Sequence, residues 1–150
     1  MILNDVLTRQ NVFTKIILKD GEKELSKELK VKIMRIRMAY TKAKKAFDEE
    51  VKEFTEELIP EELKELNNKE KRTSEEEARM QELTNKVNSE YQEFLIQKGN
   101  EEVKNIEDTL TMDEYSDIVD INSGNDVEIN GNKIAAADFL EVIYDLFVKE

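Results

Sequence analysis

The stretch from Leu25 to Leu58, LSKELKVKIMRIRMAYTKAKKAFDEEVKEFTEEL, decides the fold. Its apolar positions Leu25, Leu29, Ile33, Ile36, Tyr40, Ala43, Phe47, Val51, Phe54 and Leu58 are separated by 4, 4, 3, 4, 3, 4, 4, 3 and 4 residues. Only a helix gathers such positions on one stripe, and the alternation suits a coiled-coil-like seam. Roughly 33 helical residues would be about 50 Å long. Ser26 is the candidate cap, and Glu28 sits near the positive end of the helix dipole. Val31, Met34 and Met38 widen the stripe near its start, so this end is expected to pack against more than one neighbour.

Working outward, Pro60 stops this helix because proline cannot continue the backbone ladder. Pro60-Glu61-Glu62-Leu63 suits the first turn of a new helix, running to Leu66 before the polar Asn67-Asn68-Lys69. Ser74 followed by Glu77 fits a capping box, and Met80, Leu83, Val87, Tyr91 and Phe94 form a second helical stripe ending near Gly99. Two stripes joined by a short polar region are expected to fold back as an antiparallel hairpin. Upstream, Val6 and Leu7 suit a short helix after Asn4, whereas Val12 to Leu18 reads equally as a strand; both stay open. Asp20-Gly21 marks a turn.

Downstream, Val103 to Leu110 reads as a strand, and Thr111 as the cap of a short helix carrying Met112, Tyr115, Ile118 and Val119. Val127 to Ile134 alternates around Asn130-Gly131, a strong β-hairpin signal. A final amphipathic helix from Ala135 uses Phe139, Val142, Ile143, Leu146 and Phe147. The expected fold class is mainly α: a long antiparallel helical hairpin with a small acidic α+β C-terminal part containing a β-hairpin. The expected domains are an N-terminal segment (1–24), the helical hairpin (25–99) and the acidic α+β part (100–150) packed on it.

Hydrophobic and charged residues each make up 39% of the 150 residues, the balance expected of long helices with solvated faces. Cysteine and histidine are both absent. That excludes disulfides, thiolate metal sites, cysteine nucleophiles and the usual near-neutral proton shuttle. No apolar run approaches a signal peptide or a membrane span, and the expected location is the cytoplasm. The net charge of −12 is unevenly spread: residues 1–45 carry +7, residues 46–100 carry −8 and residues 101–150 carry −11.

Asp126, Glu128, Asn130 and Gly131 occupy the first, third, fifth and sixth places of an EF-hand loop. The bidentate acid needed at the twelfth place is replaced by Ala137, so the tight-hairpin reading is preferred. Acid runs such as Asp48-Glu49-Glu50 and Glu75-Glu76-Glu77 lie on helix surfaces, where solvation keeps their chemistry ordinary. No nucleotide-binding glycine loop or nucleophile elbow occurs. No enzyme activity, catalytic residue, metal ligand or cofactor is therefore expected. Lys27, Lys30, Lys32, Arg35, Arg37, Lys42, Lys44 and Lys45 could meet phosphates, but they wrap around the helix. Salt bridges are their simpler use, and direct nucleic-acid binding is not expected.

The segments Tyr40-Thr41-Lys42-Ala43, Ala46-Phe47-Asp48-Glu49-Glu50-Val51-Lys52-Glu53-Phe54 and Glu101-Glu102-Val103 onward resemble a family of small proteins encoded by tailed bacteriophages. The family has a Lys-rich helix start, an acidic helix continuation, a second helix and an acidic strand-rich end. The resemblance covers about residues 27–110; the N-terminal segment and the Asn-Gly hairpin depart from the pattern. It implies a phage setting and no activity.

The resulting expectation is a phage structural or virion-assembly component whose partners are proteins, either other virion components or a second copy, with no membrane involved. It would act in the host cytoplasm or within the virion. The alternative is an acidic, DNA-mimic-like inhibitor of a host defence or nucleic-acid enzyme. Candidate interface residues are Ile33, Ile36, Tyr40, Phe47, Val51 and Phe54 on the helical stripe, and Asp113, Asp117, Asp120 and Asp126 in the acidic part. For the stripe, use as an intramolecular core is the preferred alternative to an oligomer interface.

Overall fold

Proline, glycine and hydroxyl caps divide the chain where the pattern requires. In a computed structural model, which describes every residue except Asn105 and Glu150, the elements are α1 (Leu3–Phe13), β1 (Lys19–Asp20), β2 (Lys23–Glu24), α2 (Lys27–Leu58), α3 (Glu61–Asn68), α4 (Ser74–Gly99), α5 (Met112–Asn122), β3 (Val127–Ile129), β4 (Asn132–Ile134) and α6 (Ala136–Phe147). The protein is mainly helical, with a long helix where the stripe predicts it and a β-hairpin near the C-terminus. Its contacts gather into two compact units, residues 1–44 with 102–150 and residues 45–101. The division falls inside α2.

The first unit is built around α1, the first half of α2, α5 and α6. The early helix reading holds over Leu3–Phe13, with Leu3, Val6, Val12 and Phe13 on its buried side; of Val12 to Leu18 only the first two residues are helical, and residues 14–18 are neither helix nor strand. The Phe13 ring meets those of Tyr40 and Phe147 edge-on, at centroid distances of 5.8 and 5.1 Å. Ile33, Ile118, Phe139 and Ile143 are fully buried beside them. Each such side chain contributes about 1.5–3 kcal/mol relative to exposure, so this cluster dominates the unit's stability. Ser26 does cap α2, its Oγ accepting the Leu29 N–H at 3.2 Å.

The segment from Val103 to Leu110 is not a strand among its described residues; Asn105, inside that span, lies outside them. Backbone hydrogen bonds hold it near its two ends. The Val103 N–H donates to the Met1 carbonyl (2.9 Å), and the Leu110 N–H donates to that of Phe147 (2.8 Å). Isolated bridges there pair Ile2 with Glu102 and Leu110 with Val148. Its loosely spaced apolar residues, Val103, Ile106 and Leu110, specify a strand only where a neighbouring strand completes the ladder, and none does among the described residues.

Two tight hairpins complete the unit. β1 and β2 turn at Gly21 (φ +63°). β3 and β4 pair Val127 with Ile134 and Ile129 with Asn132, turning through Asn130 (φ 51°) and Gly131 (φ 80°). Two successive positive φ angles define the I′ turn that matches strand twist. Gly131→Ala meets no steric neighbour but must hold that φ. It is expected to lower stability by about 1–2 kcal/mol, read as a fall in the thermal midpoint. Asp126, the first place of the EF-hand-like pattern, accepts the Ala136 N–H at 3.1 Å and so caps α6 from across the hairpin.

The second unit is the helical hairpin proper. The second half of α2 runs antiparallel to α4: Phe54 stacks flat on Phe94 (4.0 Å, 6°), and four residues earlier in α2 Glu50 pairs with Lys98, four residues later in α4. Leu63 and Leu66 of α3 bury themselves against Leu83 of α4. Arg79 then clamps Glu62 with two hydrogen bonds of 2.9 and 3.1 Å. The capping box of α4 lies one residue earlier than expected. Thr73 is the cap and Glu76 its partner, each accepting the other's backbone N–H at 3.1 Å, and Ser74 is the first helical residue. Both registers match the same hydroxyl-x-x-Glu spacing, so sequence could not separate them.

Candidate interaction surface

The face of α2 that carries Ile33, Ile36 and Tyr40 is closed by the rest of the first unit, and all three are buried. They are core in the folded chain and offer no surface to a partner. Phe47, Val51 and Phe54 are partly buried in the second unit, where Phe54 stacks on Phe94 of α4.

The reverse face of α2 is the informative one. Val31, Met34 and Met38 were expected to find a second neighbour within the fold. Instead they stand 43%, 54% and 69% exposed. The core is already complete with α1, α5 and α6 on the other side of α2, so no element remains to cover them.

The cations around this stripe divide into two sets. Lys32 pairs with Glu114 of α5 at 2.6 Å, Lys30 pairs with Glu24, and Arg37 donates to the Ile16 carbonyl. Lys27, Arg35, Lys42, Lys44 and Lys45 have no ion-pair partner among the described residues. The expectation that salt bridges absorb the basic helix therefore holds for only part of it.

The Lys32–Glu114 pair also has a pH signature. Partial burial pushes the Glu114 carboxyl up, but the Lys32 ammonium and the Thr111 N–H outweigh it and hold the group below the usual carboxylate range. A depressed folded-state value stabilises the protein above the ordinary carboxylate range and is lost as pH falls through the folded value. Glu114→Gln is thus expected to lower the urea midpoint near neutral pH. The difference from the unsubstituted chain should shrink below about pH 4.

Asp113, Asp117 and Asp120 lie exposed along α5 at steps of 4 and 3, without an ion pair among the described residues. Asp126 is exposed but engaged, 3.7 Å from Lys133 and capping α6. No group of three or more acidic side chains is arranged to share a cation among the described residues.

A polar cluster inside the first unit was not foreseen. Asp108, only 5% exposed, accepts from Arg9 at 2.9 Å and from the Tyr40 hydroxyl. The Arg9 guanidinium also lies 5.2 Å from the centre of the Phe147 ring, within cation–π range. Burial first, then the Asp108 carboxylate, pushes the Tyr40 hydroxyl far above its usual value, so it stays protonated and donates. Asn122 plays a similar part for the loop before β1. Its Oδ1 accepts the Ile17 N–H (2.9 Å), and its Nδ2 donates to the Ile17 and Ile118 carbonyls (3.2 and 2.9 Å). Both clusters satisfy buried groups by tying distant segments together. Local sequence carried no distinct signal for Asp108, whose neighbours Glu107 and Thr109 are also polar.

With this geometry in view, comparison with known proteins adds no family: no protein-family profile, curated protein or solved structure matches the chain. No helix among the described residues is long and apolar enough to cross a membrane.

Proposed function

We propose that this chain is a non-catalytic interaction protein acting as a structural or assembly component of a bacteriophage particle. The observation that carries the interaction reading is the exposed Val31–Met34–Met38 stripe on a helix whose other face is anchored in a core. A rigidly seated helix presents such side chains at little further entropic cost, which favours binding. The phage setting is supported by the resemblance over residues 27–110.

The test places a photo-crosslinking amino acid at Met38 in cells producing the particles. The expected result is one discrete adduct with a virion or assembly protein. A chain that forms no adduct and stays monomeric overturns the reading. The inhibitor reading draws on the unpaired row Asp113, Asp117 and Asp120. It is favoured instead if a crosslinker at Ser116 captures a nucleic-acid enzyme and the capture fades steeply with salt.

A further inference from the structure

Lys27, Val31, Met34, Met38 and Lys42 succeed one another at steps of 4, 3, 4 and 4, so they form a single line along α2. Three apolar side chains occupy its middle and a lysine stands at each end. Arg35 lies beside Met34 and Met38. The apolar part spans about 10 Å and the whole line about 22 Å, roughly four helical turns.

The cations at the ends and on the flank of this line stand in a chain that is acidic overall. Acidic side chains outnumber basic ones 35 to 23, and nearby Lys30 and Lys32 both find carboxylates. Lys27, Arg35 and Lys42 remain without an ion pair among the described residues. Exposed methionines between them add flexible, polarisable surface that adapts to an apposed side chain.

We infer that this line is a docking site for an acidic amphipathic helix of another protein, with apolar residues spaced over two turns and glutamates or aspartates on both flanks. The inference rests on the interaction reading above and specifies its partner. Charge complementarity selects this occupant. The same stripe on a second copy would bring Lys27, Arg35 and Lys42 against their own counterparts, and like charges at close range oppose association. A phosphate backbone would meet the cations but leave the three apolar side chains unused. An anionic bilayer would meet the cations but gain only a short apolar contact of three side chains.

The test titrates the full chain into a fluorescent synthetic helix carrying leucines at coiled-coil spacing with glutamate flanks. A matched peptide with lysine flanks serves as the control. Saturable binding of the acidic peptide alone is expected. Met34→Gln with Met38→Gln should weaken it by about tenfold or more at any salt concentration. Lys27→Glu with Arg35→Glu and Lys42→Glu should weaken it strongly at about 0.05 M salt and little at about 0.5 M. All five positions are exposed on α2, so both variants should keep the helical circular dichroism of the parent.

Equal binding of both peptides, no binding of either, or binding indifferent to both variants overturns the inference. So does self-association that the methionine substitutions abolish, which would make a second copy the occupant. A null result with the acidic peptide alongside a Met38 crosslink to a virion protein removes this partner chemistry and keeps the proposed function. Peptide binding without any virion adduct does the reverse.

Discussion

Phe13→Ala is expected to lower the unfolding free energy of the first unit by about 3–5 kcal/mol. The ring is fully buried at the end of α1 and meets Tyr40 of α2 and Phe147 of α6 edge-on. Its removal deletes two aromatic pairs and leaves a cavity that three separate helices would have to move to fill. Domains of this size are typically stable by only about 5–15 kcal/mol, so the loss is a large fraction of the whole. Urea denaturation followed by tyrosine fluorescence reads it, because Tyr40, Tyr115 and Tyr144 all belong to this unit. Phe13→Leu should recover more than half of the loss, since it refills most of the volume. A shift below about 1 kcal/mol for the alanine variant would mean that the core is not centred on this ring.

Asp108→Ala is expected to come next, at about 3 kcal/mol. It strands two groups at once: the Tyr40 hydroxyl loses its acceptor in a fully buried site, and Arg9, with 23% of its side chain exposed, loses its counter-charge. Tyr40→Phe should cost only about 1 kcal/mol, because it removes one hydrogen bond and leaves the Arg9–Asp108 pair in place. The order of the effects is the diagnostic. If Tyr40→Phe proved as damaging as Asp108→Ala, the hydroxyl rather than the ion pair would be the centre of the cluster. Thermal midpoints of the two variants, measured side by side, decide it.

The long helix, its interruption at Pro60, the second helical stripe and the Asn130-Gly131 hairpin were legible because each depends on local periodicity or on a turn residue with one physical use. The start of α4 slipped by one residue because Thr73-x-x-Glu76 and Ser74-x-x-Glu77 offer the backbone the same cap. Val103 to Leu110 failed as a strand because pairing is decided by distant neighbours, here Met1 and Phe147, that no window of sequence contains. The same non-locality hid the cluster of Arg9, Tyr40 and Asp108.

The candidate site was half legible. Periodicity grouped Ile33, Ile36 and Tyr40 correctly, yet it could not tell which of α2's two apolar faces would be covered. The structure assigns the core to that group and leaves Val31, Met34 and Met38 outside.

The division of the chain into units carries a consequence for its synthesis. Residues 45–101 form a continuous unit that can fold as soon as it leaves the ribosome, whereas the other unit needs residues 102–150 to meet residues 1–44. At about 5–20 residues per second, the roughly 120 residues between α1 and α6 take on the order of 6–25 s to arrive. Throughout that interval Val6, Phe13 and Ile33 lack the side chains that later enclose them. A nascent chain that stalls before Phe147 would therefore present a finished helical hairpin beside an unclosed apolar surface, the form most exposed to chaperones and proteases.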